Sequence, residues 1–202
     1  MDIRNLYPGS YASCCYLVSQ GRDAVLIDCS APVAAVRSAL EAQQLTLHAI
    51  LCTHGHFDHL LTANEMREAF GVPLYIHAED AEMLTDNHKN AFARFFGTGR
   101  SWLPAERTFS NGDRLTFGEL TLTVMHTPGH SKGSSALLVE DAILTGDTLF
   151  LDCYGRTDLY GGDFDTLCRS LQALSRLPAQ STVYPGHGDH GSLSEALKQF
   201  RS

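Results

Sequence analysis

Thr53-His54-Gly55-His56-Phe57-Asp58-His59 is the stretch on which the reading of this chain turns. The apolar run His48 to Cys52 before it suits a buried strand. Leu60 to Phe70 after it has helical spacing, stopped by Gly71 and Pro73. The segment is therefore predicted at a strand-to-helix junction, where side chains project from a rigid base. In extended chain His54 and His56 point to the same side. Gly55 permits a tight path between them, and Asp58 and His59 follow as the chain turns into the helix. A lone histidine is most often structural, but this chain has ten, and three of them fall between positions 54 and 59. Four ligand-type side chains in one short segment are more than a single open site uses comfortably. They suit two metal ions side by side, with His54 and His56 on one and Asp58 and His59 on the other.

Two ions need further ligands, and three turns supply them: Thr127-Pro128-Gly129-His130, Thr145-Gly146-Asp147-Thr148 and Tyr184-Pro185-Gly186-His187. Each follows a predicted strand, and in each a glycine immediately precedes His130, Asp147 or His187. Imidazole and carboxylate donors suit zinc, iron or manganese without any cysteine. Asp147 has two oxygens with which to bridge both ions.

Around these turns the pattern alternates short strands and helices. Tyr11–Ser19 and Ala24–Asp28 read as a hairpin, Ala31–Gln44 as a helix, Leu74–His77 as a strand, and Ala78–Leu84 as a short helix. From Thr85 to Pro104 the pattern weakens, and Phe92, Phe95, Phe96 and Trp102 suggest either a pocket wall or an ordinary surface connection. Arg114–Phe117 and Leu120–His126 read as strands, Ser134–Val139 and Ala142–Thr145 as a second hairpin, and Phe164–Leu174 as a helix. Thr182–Tyr184 is a strand, and Ser192–Phe200 a closing helix begun by a Ser192/Glu195 capping box. Two stacked sheets flanked by helices, in one domain, fit this order.

Composition narrows the partners. The formal charge is −8, with 15 basic against 23 acidic residues and no basic run, so nucleic acid is excluded as a target and a small molecule expected. Cys14, Cys15, Cys29, Cys52, Cys153 and Cys168 include no C-x-x-C pair and read as reduced thiols. No signal peptide or membrane-length apolar run is visible, so the expectation is a cytoplasmic monomer or small homo-oligomer with no membrane partner.

The pattern His-x-His-x-Asp-His, then Gly-His, Gly-Asp and Gly-His, resembles that of the metallo-β-lactamase-fold hydrolases. Within them it is most similar to the short bacterial members of the glyoxalase II (hydroxyacylglutathione hydrolase) group, which share phrases such as Gly146-Asp147-Thr148-Leu149-Phe150. The resemblance implies an α/β fold, an αββα sandwich of two mixed β-sheets flanked by helices, over residues 1–202 as a single domain. It also implies that His54, His56 and His130 hold one metal ion, that Asp58, His59 and His187 hold the other, and that Asp147 bridges them. Two Zn2+ ions are expected, iron and manganese being compatible with the same donors. They would lower the pKa of a shared water, and the hydroxide would attack a carbonyl carbon, with Asp58 as the catalytic residue that orients it. A thiolate leaving group needs little protonation, so a thioester of the S-D-lactoylglutathione type is the expected substrate. Asp28 resembles an aspartate that supports the ligands from behind, a turn-capping role being the alternative.

Arg156 corresponds to a basic residue that touches a glutathione carboxylate; a lock on its loop through Asp158 is the competing reading. Tyr154, on the same loop, is expected to line the substrate pocket, and a reactive Cys153 lacks a neighbouring base. His77 and His126 read as structural residues, and His48, His88 and His190 as surface ones. Only fifteen residues follow His187, so the helical C-terminal domain that supplies much of the glutathione site in longer relatives is expected to be missing. The alternatives to thioester hydrolysis are a persulfide dioxygenase-like mono-iron oxidoreductase, a lactone or β-lactam hydrolase and, last, a non-enzymatic metal-binding module.

Overall fold

A computed structural model of the protein describes residues 1–6 and 12–200. Twelve strands form two six-stranded sheets among the described residues. The first sheet contains, in spatial order, β1 (Asp2–Asn5), β2 (Tyr16–Gln20), β3 (Asp23–Ile27), β4 (Thr46–Leu51), β5 (Leu74–His77) and β6 (Arg107–Phe109). The second runs β12 (Gly191–Ser192), β11 (Thr182–Pro185), β10 (Ala142–Gly146), β9 (Ser135–Val139), β8 (Leu120–His126), β7 (Arg114–Phe117). Hairpins make the antiparallel pairs, β2 with β3 for example. The parallel pairs β3–β4 and β4–β5 are joined by helical crossovers, α1 (Val33–Gln43) and α2 (Ala63–Phe70). Helices α4 (Phe164–Leu174) and α5 (Leu193–Ala196) follow in the second half. Both sheets are therefore mixed, as expected.

Strand alternation builds the layers. Leu17, Leu26 and Ile50 face α1 and α2, packing with Val36, Leu40 and Met66. Their neighbours Val18, Val25, Ile27, Ala49 and Leu51 face the other way and meet Leu120, Leu122, Val124, Leu137 and Leu144 of the second sheet. The far side of that sheet, through Ala136, Ile143 and Val183, packs on Leu167, Leu171 and Leu174 of α4 and on α5. Strands buried on both faces read as continuous apolar runs, as VLI and AIL do here. The order helix, sheet, sheet, helix follows, matching the αββα expectation.

Several details differ from the sequence reading. The edge strands β1 and β6 were not anticipated, because they are short and mostly exposed and so lack an alternating apolar signal. The helix expected from Leu60 begins at Ala63, and Phe57–His59 form a 3₁₀ turn instead. The closing helix is split into α5 and a 3₁₀ turn at Lys198–Phe200, although Ser192 caps it by accepting the Glu195 N–H at 3.2 Å. Tyr11, predicted to open the first hairpin, lies outside the described residues. No helix of the described residues is long and apolar enough to cross a membrane.

Leu51 is fully buried between the sheets at the end of β4, three residues before His54. Truncating it leaves a cavity beneath the loop that carries the histidines. Leu51→Ala is expected to lower stability by about 2–5 kcal/mol, read from the urea midpoint at an unchanged m-value.

Candidate metal centre

The seven ligand-type residues come from four strand ends at one edge of the sandwich. His54 to His59 follow β4, His130 follows β8, Asp147 follows β10 and His187 follows β11. The two sheets are stitched there by the Ser135 N–H donating to the Thr53 carbonyl at 2.9 Å. His54, His56 and His130 form one group of converging donors, and Asp58, His59 and His187 another. His130 Nε2 lies 2.9 Å from His56 Nδ1 and 3.3 Å from His54 Nε2. His187 Nε2 lies 3.1 Å from Asp58 Oδ2, and His59 Nε2 lies 3.8 Å from the same oxygen. Asp147 stands between the groups, with Oδ1 3.2 Å from His59 Nε2 and Oδ2 3.6 Å from both His130 Nε2 and His187 Nε2.

Hydrogen bonding on the far side of the His54, His59 and His130 rings fixes which of their nitrogens faces inward. His130 Nδ1 donates to the Arg156 carbonyl at 2.7 Å, leaving the Nε2 lone pair bare. Thr53 Oγ1 gives its proton to Asp28 Oδ2 at 2.9 Å and can only accept from His54 Nδ1 at 3.2 Å, so His54 Nε2 is bare as well. His59 Nδ1 donates to Asp28 Oδ2 at 2.7 Å and presents Nε2 to the carboxylates. Lone pairs 3.3 Å apart repel unless a proton or a cation lies between them, and three imidazole nitrogens converging on one point suit a cation. Metal–nitrogen bonds of about 2.0–2.1 Å in tetrahedral geometry separate two ligand atoms by about 3.3 Å. The buried atoms His59 Nε2 and Asp147 Oδ1 face each other at 3.2 Å without hydrogen-bond geometry, as suits two ligand atoms of one metal ion. The donor set fits a pair of metal ions.

The charge balance points the same way. Burial, reinforced by the neighbouring histidines His59 and His130, holds His54 well below its ordinary pKa, and burial with His130 brings His56 down to about 3. Both are neutral and ready to ligate at physiological pH. Burial also opposes charge on His59, but Asp147, Asp28 and Asp58 outweigh it and raise its pKa well above the ordinary value. Burial works against ionised Asp147 too, yet His59 above all keeps it an anion.

Supporting residues lock the ligands in place. Asp28 takes the left-handed conformation at the end of β3 (φ 59°) and accepts the Thr53 N–H at 2.8 Å through Oδ1. Its contacts with Thr53 and His59 bear out support from behind rather than simple turn capping. Ser13 Oγ donates to the Asp58 carbonyl at 3.2 Å, and the Cys14 N–H to the Gly186 carbonyl at 2.6 Å. Their part is invisible in sequence, because nothing around residues 13 and 14 marks them as neighbours of loops so far along the chain. At Gly186 a Cβ would sit 2.7 Å from His59 Cε1 and closer still to Asp147 Oδ1.

A pocket of about 450 Å3 opens over both groups, walled by Phe57, Phe95, Phe96 and Leu159, with Arg156 at its rim. Phe95 and Phe96 lie on α3 (Phe92–Phe96), so the weakly patterned segment forms a pocket wall, while Trp102 turns into the core. Arg156 spends Nε and Nη2 on Asp158 at 2.6 and 2.8 Å, and Arg94 donates to the same carboxylate at 3.0 Å. The loop-locking contact is therefore present, beside the pocket rather than instead of it. Tyr154 corrects the expectation of a pocket contact. A bridge between Leu149 and Tyr154 folds the loop back, and the tyrosine ring faces Phe164 at 5.7 Å in a groove with Cys168 and Gln199. Burial and Asp152 raise the Cys153 thiol pKa, the opposite of what a reactive thiolate needs. His77 and His126 stack on each other at 4.1 Å, and exposed His190 stacks on Tyr184. His48 is the extra residue at a bulge between β3 and β4 and pairs with Asp23 at 2.6 Å.

Comparison with known proteins gives the same picture. The family model described as "Metallo-beta-lactamase superfamily" matches residues 9–187. The Mycobacterium leprae protein ML0493 is 38% identical over 93% of this chain and 92% of its own length. The probable metallo-hydrolase YqgX of Bacillus subtilis is 36% identical over 76% and 74%, and the hydroxyacylglutathione hydrolase GloC of Haemophilus influenzae 27% over 91% and 88%. Among solved structures, BLEG-1 B3 metallo-beta-lactamase superposes with a TM-score of 0.90 at 33% identity, covering 97% of this chain and 96% of that one. TTHA1623 in a di-iron-bound form gives 0.83 at 33% over 98% of both chains, and ETHE1 from Myxococcus xanthus 0.77 at 28% over 98% and 82%.

Two outcomes follow from this geometry. Gly186→Ala is expected to cut metal content at least to half while leaving the far-ultraviolet circular dichroism unchanged, as elemental analysis after gel filtration will show. An ion entering the Asp58–His59–His187 group must displace the His59 proton at neutral pH, whereas His54 and His56 have none to release. Calorimetry in buffers of different ionisation enthalpy should find proton release on filling that group. Because protons compete there, lowering the pH from about 7 to about 5.5 is expected to empty it before the three-histidine group.

Proposed function

The chain belongs to the metallo-beta-lactamase superfamily, and we propose that it is a hydrolase of acyl thioesters of the S-D-lactoylglutathione type, working with a pair of metal ions. The observation that carries this reading is the completeness of the second group. Asp58, His59 and His187 converge beside the three-histidine group, with Asp147 turned toward both. A complete second set favours a two-ion centre over a mononuclear one. The likeness to GloC, a hydroxyacylglutathione hydrolase, and to YqgX, a probable metallo-hydrolase, supports hydrolysis.

His54, His56 and His130 are assigned to one ion, Asp58, His59 and His187 to the other, and Asp147 to both. Bound ions supply Lewis acidity and a nucleophilic water at neutral pH. Asp58, held below its ordinary pKa against burial by His59 and His187, stays an acceptor. Its carboxylate orients the attacking water and takes up its proton. Phe57, Phe95 and Phe96 exclude bulk water from the carbonyl and seat the apolar part of the substrate. A thiolate departs without strong acid assistance, which suits a pocket whose aspartates among the described residues, Asp58 and Asp147, sit with the ligands. A substrate carboxylate would meet Arg156 along the edge of the guanidinium turned from Asp158.

Two observations favour rival chemistries within the fold: the likeness to BLEG-1, a B3 metallo-beta-lactamase, and the di-iron form of TTHA1623. The first supports β-lactam hydrolysis and the second iron as the resident metal. One panel separates the readings. Zinc-, iron- and manganese-loaded protein is offered S-D-lactoylglutathione and other thioesters, a lactone, a β-lactam, and glutathione persulfide with oxygen uptake monitored. The expected result is thiol release from thioesters that falls at least about a hundredfold on chelation. Intact thioesters beside a consumed β-lactam or persulfide would reject the assignment.

A further inference from the structure

Asp80 takes no part in the chemistry above, yet its carboxylate is among the most enclosed of the molecule, with no exposed surface. It lies in the 3₁₀ segment Ala78–Leu84, directly after β5. Oδ2 accepts the Gly55 N–H at 3.0 Å and the Ser131 hydroxyl at 2.6 Å, and Oδ1 accepts the Gly133 N–H at 2.6 Å. Gly55 sits between His54 and His56, and Ser131 directly follows His130. One side chain thereby ties together the two loops that carry all three imidazoles of the first group. The second group has its own anchor in Asp28, through His59.

The fit is close. A Cβ at Gly133 would lie 2.7 Å from Asp80 Cγ and 2.8 Å from its backbone nitrogen, so the loop after His130 closes directly onto this residue. Ser131 is fixed in turn, its N–H donating to Ser134 Oγ at 3.0 Å. Burial raises the Asp80 pKa, and the three donors work against that rise. A buried carboxylate whose hydrogen bonds are to backbone and hydroxyl groups, with no cation salt-bridged to it among the described residues, is a costly way to hold two loops. An apolar residue would fill the space more cheaply, but it could not fix how far His130 stands from His54 and His56.

We propose that Asp80 is a positioning residue that sets the spacing of His54, His56 and His130 and so the metal affinity of that group. The proposal rests on the two-ion reading given above. It is tested with Asp80→Asn, which keeps the size but places an amide against backbone donors. Zinc is titrated into the metal-free wild type and variant in competition with a chromophoric chelator, and cobalt(II) spectra report the geometry of each group. Loss of such a supporting contact is expected to weaken the three-histidine group by about 10–100-fold. The Asp58–His59–His187 group should keep its affinity, so that one of two ions is lost. The cobalt bands of the three-histidine group should shift as well. Unchanged affinity at both groups overturns the proposal, as does an equal loss at both that tracks a lower urea midpoint of the metal-free protein. If Asp80→Asn does not fold, Ser131→Ala removes one donor of the three. A several-fold weakening confined to the three-histidine group then supports the proposal, and none overturns it. A wild-type chain that binds no ion in the first titration would instead overturn the two-ion reading.

Discussion

The structure depends on the enclosure of negative charge at the edge where the two sheets meet. Asp28, Asp58 and Asp147 surround His59, and the three carboxylates together outweigh the burial that would otherwise keep this imidazole neutral. Anions brought so close to an imidazole call for positive charge among them, which is the electrostatic case for a metal ion at this edge. The backbone around them is arranged to tolerate that concentration. Asp28 adopts a left-handed conformation that few residues other than glycine accept readily, and its side chain then meets the start of the histidine loop and His59 together.

The sandwich makes the enclosure rigid. Each ligand loop springs from the end of a strand that is buried on both faces or paired to one that is, so the ligands inherit the precision of the core rather than the mobility of a surface loop. Hydrophobic packing between the sheets and hydrogen bonding at their edge cooperate here. The apolar contacts of Ile27 and Leu51 end where the polar contacts of Asp28 and Thr53 begin. Two buried carboxylates, Asp28 and Asp80, take the backbone and hydroxyl donors of the neighbouring loops and convert sheet geometry into ligand geometry.

The pocket is built to a looser specification. Its apolar wall comes from the short α3, and its rim from the Arg94–Asp158–Arg156 clasp, whose members are all substantially exposed. Exposed ion pairs contribute little stability. The metal-ligand geometry is thus set by the buried layer, and the pocket rim by a surface layer where the fold constrains residues least.

Much was legible in the sequence. The ligand-type residues stood out because metal chemistry demands particular side chains at short, local spacings, and His54 to His59 satisfy that demand within one loop. The layered fold followed from continuous apolar strands alternating with helical periods, which depend only on near neighbours in the chain. The edge strands β1 and β6 escaped because half-exposed backbone leaves no apolar rhythm. The direction of Tyr154, the division of Arg156 between Asp158 and the pocket, and the grip of Asp80 on two distant loops were decided only by tertiary structure. Each depends on which residues, dozens of positions apart, meet when the sheets close. A buried carboxylate finds its donors by proximity in space, and no local pattern in the chain records that choice.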